Sequence, residues 1–315
     1  MTAVRRFTLA IHGGAGTVAR AALSGADAHG YRAGLRAALR AGHRVLAGGG
    51  CALDAVTEAV VALEDDPHFN AGLGAVLTEE GRVEMDAAIM DGRDRRAGAV
   101  ACVSGPRNPI LAARTVMERS PHVLLAGEGA ERFLRAEGVA FAPATYFLTQ
   151  RRIEALDREL RRRDSGKPDR RSDADRHGTV GAVACDAAGH LAAATSTGGL
   201  TGKQPGRIGD TPVFGAGTWA DDATCAVSAT GHGESFMRWV VAHEIASRLR
   251  HRGECVEVAA TAVVSALAAN DGAGGVIAVD AAGRFALPFN SEGMYRGVIE
   301  PDGVPRVAIH DEPLT

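Results

Sequence analysis

The chain has 315 residues, a formal net charge of −3, 46% hydrophobic residues and 23% charged ones. That balance gives no reason to expect nucleic acid or an anionic membrane as a partner, and no run approaches the roughly 20 apolar residues of a membrane span. Five cysteines at 51, 102, 185, 225 and 255 are odd in number and lack CxxC spacing, which points to reduced thiols in a cytoplasmic protein.

Residues 7–11 read as a first core strand ending in the loop His12-Gly13-Gly14-Ala15-Gly16; the arginine pair before it precedes too short an apolar run for a signal segment. An alanine-rich helix is predicted over 25–46, broken by Gly48-Gly49-Gly50. Residues 52–65 carry Leu53, Val56, Val60 and Leu63 at helical spacing, and Pro67 closes that helix. Residues 69–74 read as an irregular loop, followed by strands at 75–78, 83–90 and 97–104. Asn108 and Pro109 supply a cap and a first-turn proline for a helix to 118. A strand at 123–126 and a helix at 130–137 follow. In 151–176 more than half of the side chains are charged, which predicts a helix end running into a flexible, solvated linker that extends to 178.

Residues 179–186 and 190–197 then read as a hairpin around Ala187-Ala188-Gly189, with the glycine in the left-handed position. Setting Asp186 opposite His190 walks the register back to Thr179 opposite Thr197. Two threonine hydroxyls thus share one face at the hairpin's open end, beside the Gly178–Thr179 bond. A threonine hydroxyl needs an adjacent base to become a nucleophile, and an α-amine titrating at about 7.7–8 is such a base once the chain is cut before Thr179. Thr179 could make that cut itself by attacking the Gly178 carbonyl, which no Cβ shields. A buried strand with an incidental threonine is the competing reading of this junction alone.

Downstream come a loop over 198–207, a turn at Gly209-Asp210, a strand at 224–230, a helix opening at 231 and running through 250, and another over 255–268. Strands at 275–280, 284–289 and 295–299 close the chain. No internal repeat is present, and strand clusters flanked by helix pairs in both halves suggest two layers of sheet between two of helix.

Several constellations bear on chemistry. Gly14, Gly16 and Ala19 match G-x-G-x-x-A after a strand, but the second parallel strand and acid that a dinucleotide site needs are missing from the helical stretch that follows. No G-x-S-x-G elbow occurs. His12 offers a ligand or base, or a structural hydrogen bond beside its glycines. Thr230-Gly231-His232-Gly233 falls at a strand end and helix start, where a hydroxyl and the Gly231 N–H could form an oxyanion hole or the glycines could merely turn the chain. Arg207 and Asp210 are either a surface pair or a cation and an anion suited to an α-amino acid head group.

The stretch HGTVGAVACDAAGHLAAATSTGGLTGKQPGRIGD, followed by FGAG and TGHGES, closely resembles the plant-type asparaginase / isoaspartyl peptidase family of N-terminal nucleophile hydrolases. The segments AIHGGAGT, NAGLGAV, EMDAAIMDG, RNPILAARTVME, SPHVLLAGEGAE and ALPFNSEGMYR look like the same family in the right order. The resemblance implies an α+β fold, a four-layer αββα sandwich forming one structural domain. It also implies self-cleavage into an alpha segment, 1–178, and a beta segment, 179–315, with two such α/β heterodimers pairing. Thr179 would be the nucleophile, Thr197 its helper, and Thr230 with Gly231 the oxyanion hole. Arg207 would hold the substrate carboxylate, and Asp210 with the Gly233 carbonyl its ammonium. Asn70 would line the site, and His12, Gly13 and Gly14 would act with Gly178 and Thr179 in self-cleavage. Backbone carbonyls of Leu63, Glu64, Asp66, Phe69, Ala71 and Leu73 would bind sodium or potassium, with no organic cofactor. The implied reaction is hydrolysis of the β-amide of asparagine and of isoaspartyl dipeptides. The HGT and TSTGG motifs separate the chain from lysosomal glycosylasparaginases, which resemble HDT and TSTNG, and it lacks the long extra segment of a taspase-like protease.

Overall fold

A computed structural model describes residues 7–16, 23–165, 178–270 and 272–315. The fold is α+β. The first strand, β1 (Thr8–Gly16), runs on through the glycine loop, with a bulge between His12 and Gly14. Helices α1 (Gly25–Ala47) and α2 (Ala52–Glu64) follow, the first capped by Ser24, whose side chain accepts from the Asp27 N–H. After a 3-10 turn (Gly72–Gly74) come β2 (Met85–Asp91), β3 (Ala97–Val103), α3 (Pro109–Arg119), β4 (Leu124–Ala126), α4 (Gly127–Ala136) and α5 (Ala144–Phe147). The charged region opens with α6 (Gln150–Asp164). Beyond it lie the hairpin β5 (Thr179–Cys185) and β6 (Leu191–Thr197), then β7 (Thr218–Ala220) and β8 (Cys225–Gly231). Helices α7 (Gly233–Trp239), α8 (Val241–Arg252) and α9 (Val256–Ala268) precede β9 (Gly274–Asp280), β10 (Phe285–Ala286), β11 (Gly293–Ile299) and β12 (Arg306–Ala308).

The strands form a large sheet in the order β12-β11-β1-β5-β6-β2-β3-β4 and a small one in the order β10-β9-β8-β7. Side-chain alternation along β5 sorts the cores. Val180, Ala182 and Ala184 join α1, α2 and α3 residues such as Leu39, Val56 and Ile110. Val183 and Cys185 point the other way, into a core shared with Ala226, Ile277 and Val279 of the small sheet. The outer face of the small sheet packs Val227 and Val276 against Ile245 and Val264 of α8 and α9. Thr179 and Gly181 belong to the same face as Val183, so the nucleophile candidate lies where the two sheets meet.

The hairpin expectation holds to the residue: Thr179 pairs with Thr197 and Cys185 with Leu191, closed by the Asp186 N–H donating to the His190 carbonyl. Three expectations need correction. Residues 150–164 are helical rather than linker, because Arg152, Ala155, Leu156 and Glu159 form a buried stripe at 3.6-residue spacing. Glu159 accepts from Arg162 and Arg163 at 2.9 and 2.7 Å, so its charge is paired inside the contact. The rest of the expected linker, 166–177, lies outside the described residues, as does the stretch Asp175-Arg176-His177. The single helix expected from 231 to 250 is two, because Val240 adopts the left-handed conformation at φ 48° and breaks it. At 75–78 there is no regular strand, only isolated bridges from Leu77 to Val83 and from Thr78 to Lys203.

Candidate active site

A pocket between the sheets is lined by Thr179, Thr197, Arg207, Asp210, Gly231 and Gly233, among others. The threonine pair heads it. Thr179 Oγ1 donates to Thr197 Oγ1 at 3.2 Å, and Thr197 Oγ1 lies 3.3 Å from the Gly178 carbonyl oxygen and accepts from the Gly199 N–H at 3.0 Å. A hydroxyl holding one N–H as acceptor keeps its own proton available for the carbonyl of the Gly178–Thr179 bond. Both threonines are buried.

The chain on either side of that bond is tightly braced. Gly14, at φ 115°, passes so close that a Cβ there would lie 3.0 Å from Gly178 Cα. Only glycine meets both the left-handed backbone and the close approach. Asn70 sits beneath Gly178: its Nδ2 donates to the Gly199 carbonyl at 2.8 Å and its Oδ1 accepts from the Val76 N–H at 2.8 Å. Its amide thus ties the Gly199 loop to the segment after Gly74. His12 Nδ1 donates to the Thr179 carbonyl at 2.9 Å. Complete burial pushes the imidazole down to about 3, and with Nε2 at 2.9 Å from Ser228 Oγ both ring nitrogens are engaged in hydrogen bonds.

Thr230 is fully buried and its Oγ1 accepts from the Ala15 N–H at 3.1 Å, while its neighbour Gly231 lines the pocket. Arg207 and Asp210 converge on Gly233, where an added Cβ would lie 2.9 Å from Asp210 Oδ1 and 3.1 Å from Arg207 Nη2. Arg207 is held by a residue that sequence reasoning missed: its Nε and Nη2 donate to Glu234 Oε1 at 3.0 and 2.9 Å. Asp210 Oδ2 is buried without a protein partner, and burial pushes the carboxyl up to about 7. A cation and an acceptor poised at one glycine make a receptor for a group bearing both charges.

Other contributors also escaped notice. Asp86, buried on β2, is register partner to Thr197, accepts from the Cys102 N–H at 2.9 Å, and has its carboxyl raised by burial. Lys203 Nζ, also buried, donates to the Glu84 carbonyl at 2.8 Å beside Gly199. Glu234 was legible as the acid following the TGHG turn, and Ser228 as the inward-facing residue two before Thr230.

In the loop expected to hold an alkali ion, two glycines lie close against backbone carbonyls. A Cβ on Gly72 would meet the Glu64 carbonyl oxygen, and one on Gly74 the oxygens of Phe69 and Pro67. The Leu63, Asp66 and Ala71 carbonyls accept local N–H groups from Asp66, Phe69 and Gly74. Arg152 Nε donates to the neighbouring Gly74 carbonyl at 2.5 Å. Backbone carbonyls are neutral oxygen donors of the type that hard cations take, and those of Leu63, Asp66 and Ala71 are already engaged by N–H groups. Among the described residues no group of three or more His, Cys, Asp or Glu side chains could hold a metal, and no helix is long and apolar enough to cross a membrane.

A family profile described as asparaginase matches residues 5–309. The chain is 48% identical to the isoaspartyl peptidase of Salmonella typhimurium strain LT2 over 315 residues, covering 98% of this chain and 100% of that protein. It is 47% identical to the isoaspartyl peptidase of Escherichia coli K12 over 310 residues, 96% of each. To the isoaspartyl peptidase/L-asparaginase of Homo sapiens it is 44% identical over 262 residues, covering 83% of this chain and 84% of the human one.

Proposed function

The chain belongs to the asparaginase family, and on that premise we propose that it is a threonine amidohydrolase that cleaves its own Gly178–Thr179 bond. It then hydrolyses the β-amide of L-asparagine and of β-aspartyl dipeptides, releasing L-aspartate. The observation that carries this reading is the Thr179–Thr197 hydroxyl pair at 3.2 Å, in one pocket with Arg207 and Asp210.

Self-cleavage begins as Thr179 Oγ1 attacks the Gly178 carbonyl carbon while the Thr197 hydroxyl supports the developing oxyanion. The C–N bond breaks, the amine takes the proton, and water hydrolyses the resulting ester. The freed α-amine titrates at about 7.7–8 and takes the Thr179 hydroxyl proton in each later turnover. Arg207 binds the substrate α-carboxylate, and Asp210 with the Gly233 carbonyl its α-ammonium. The side-chain carbonyl then meets Thr179, with the Thr230 hydroxyl and Gly231 N–H as its oxyanion hole. Ammonia or an amino acid leaves, and water resolves the aspartyl ester. Asn70 and the His12, Gly13 and Gly14 loop keep the site in register.

The three cores described above support the four-layer αββα arrangement as one domain. Carbonyls of Leu63, Glu64, Asp66, Phe69, Ala71 and Leu73 would hold a sodium or potassium ion, which would order the loop and take no part in bond breaking. We place the protein in the cytoplasm as a dimer of α/β heterodimers.

The head-group reading has a direct test. β-Asp-Leu and asparagine present a free carboxylate and a free ammonium on the aspartyl unit, whereas α-Asp-Leu ties the carboxylate into its peptide bond. N-acetyl-β-Asp-Leu lacks the ammonium and leaves Asp210 unpaired, a cost of about 1–3 kcal/mol. Turnover of the first two and little of the others is expected; comparable cleavage of α-Asp-Leu would refute the assignment of Arg207 and Asp210.

A further inference from the structure

The row of the large sheet next to the threonine pair has a gap. Its members are His12 on β1, Gly181 on β5 and Thr195 on β6, register partners across three strands. Gly181 has no side chain, and a Cβ there would overlap Ser228 Oγ and His12 Nε2. Ser228, from β8 of the facing sheet, occupies the gap: its Oγ lies 2.9 Å from His12 Nε2 and 2.7 Å from Thr195 Oγ1. Thr218 Oγ1 on β7 lies 2.7 Å from Thr195 Oγ1 and 3.0 Å from the Thr211 carbonyl, and its single proton serves one of them at a time. All four side chains are fully buried.

The protons in this group have one order. The Thr179 carbonyl only accepts, so His12 Nδ1 carries the hydrogen. Nε2 of a neutral ring is then bare and must accept, which makes Ser228 the donor. With its proton spent, Ser228 accepts from Thr195. The strands explain why the ring is needed. The β1–β5 register stops at His12 opposite Gly181, two residues short of Thr179, and the imidazole reaches across to the Thr179 carbonyl.

We propose that Ser228 is a positioning residue for the nucleophile: seated in the gap at Gly181, its hydroxyl satisfies Nε2 and seats the His12 ring, and His12 holds the Thr179 carbonyl. Fixing that carbonyl fixes the peptide plane after Thr179, and with it the direction in which Oγ1 and the amino nitrogen face the pocket. A bare Nε2 without a donor would be a buried, unsatisfied acceptor. The ring would escape that cost only by shifting toward another donor, and its hold on the Thr179 carbonyl would loosen. This inference rests on Thr179 being the nucleophile.

Nitrogen-15 spectra of histidine-labelled full-length protein read the tautomer directly, with the His12 signals assigned by their loss in His12→Gln. In the wild type we expect the proton on Nδ1 and a bare Nε2, unchanged from about pH 5 to about pH 9. Ser228→Ala should keep the Nδ1–H form but weaken its bond to the Thr179 carbonyl, read as an upfield, faster-exchanging Nδ1–H proton, with a loss of about tenfold or more in β-Asp-Leu turnover, the scale of one buried hydrogen bond. Should that variant fail to fold, Ser228→Cys decides, because it nearly keeps the volume and offers only a weak donor. It should melt near the wild type yet show the same weakened bond and the same loss. A wild-type proton on Nε2 overturns the proposal. So does either folded variant whose Nδ1–H signal matches the wild type, whether its turnover is intact or lost. An inactive wild type would sink the amidohydrolase reading instead, while its histidine spectrum would still decide the clamp.

Discussion

Asp210 is 4% exposed, its Oδ2 meets no protein donor, and burial pushes its carboxyl up to about 7. A carboxyl raised above its unfolded value of about 3.9 binds a proton more tightly in the native state. The stability it contributes is complete below about pH 3.9 and is lost as pH rises to about 7, at up to about 1.4 kcal/mol per pH unit. Asp210→Asn has no such proton. Thermal melts of the two proteins should therefore nearly coincide near pH 4, and the wild type should fall progressively below the variant up to about pH 7 and run parallel beyond. A gap independent of pH would contradict the buried, partnerless carboxylate. On the proposed reading the same group would serve recognition: a substrate ammonium would supply the partner that the folded chain withholds, and Arg207, held by Glu234, the opposite charge.

Elements rather than residues account for what the sequence left unread. The hairpin was legible because its turn glycine and alternating pattern fix the register, and that register alone set Thr179 beside Thr197. Arg207 and Asp210 could be named together but not placed, since Gly233 brings them together across the fold. Helix α6 was hidden because two members of its buried stripe, Arg152 and Glu159, are charged, and a pattern search weighs charge as exposure. Arg163 of α6 also reaches the Gly202 carbonyl at 2.5 Å, so the helix braces the loop that leads to Arg207. The break between α7 and α8 was hidden because nothing in valine marks a left-handed residue. A β-branched residue there costs about 1–2 kcal/mol, against about 0.5–1 kcal/mol for the greater entropy of glycine. Val240→Gly should therefore raise stability by about 0.5–1 kcal/mol in denaturant melts with turnover unchanged; a less stable variant would show that the valine side chain's packing outweighs the strain.

At the scale of the whole molecule, the Gly178–Thr179 bond joins two segments that share one sheet. β1 to β4 come from before the bond, β5, β6, β11 and β12 from after it, and β5 lies between β1 and β6 while β2 pairs with β6. Cutting the chain there separates no core, so a cleaved protein keeps its fold while Thr179 gains an amine at the pocket floor. The most direct measurement of this account is intact mass and N-terminal sequencing of the purified wild type beside Thr179→Ala. The wild type should give two fragments, the second beginning Thr-Val-Gly-Ala-Val, and the variant should remain one chain. A Thr179→Ala protein cut at the same bond would assign the cleavage to another agent and contradict Thr179 as its own nucleophile.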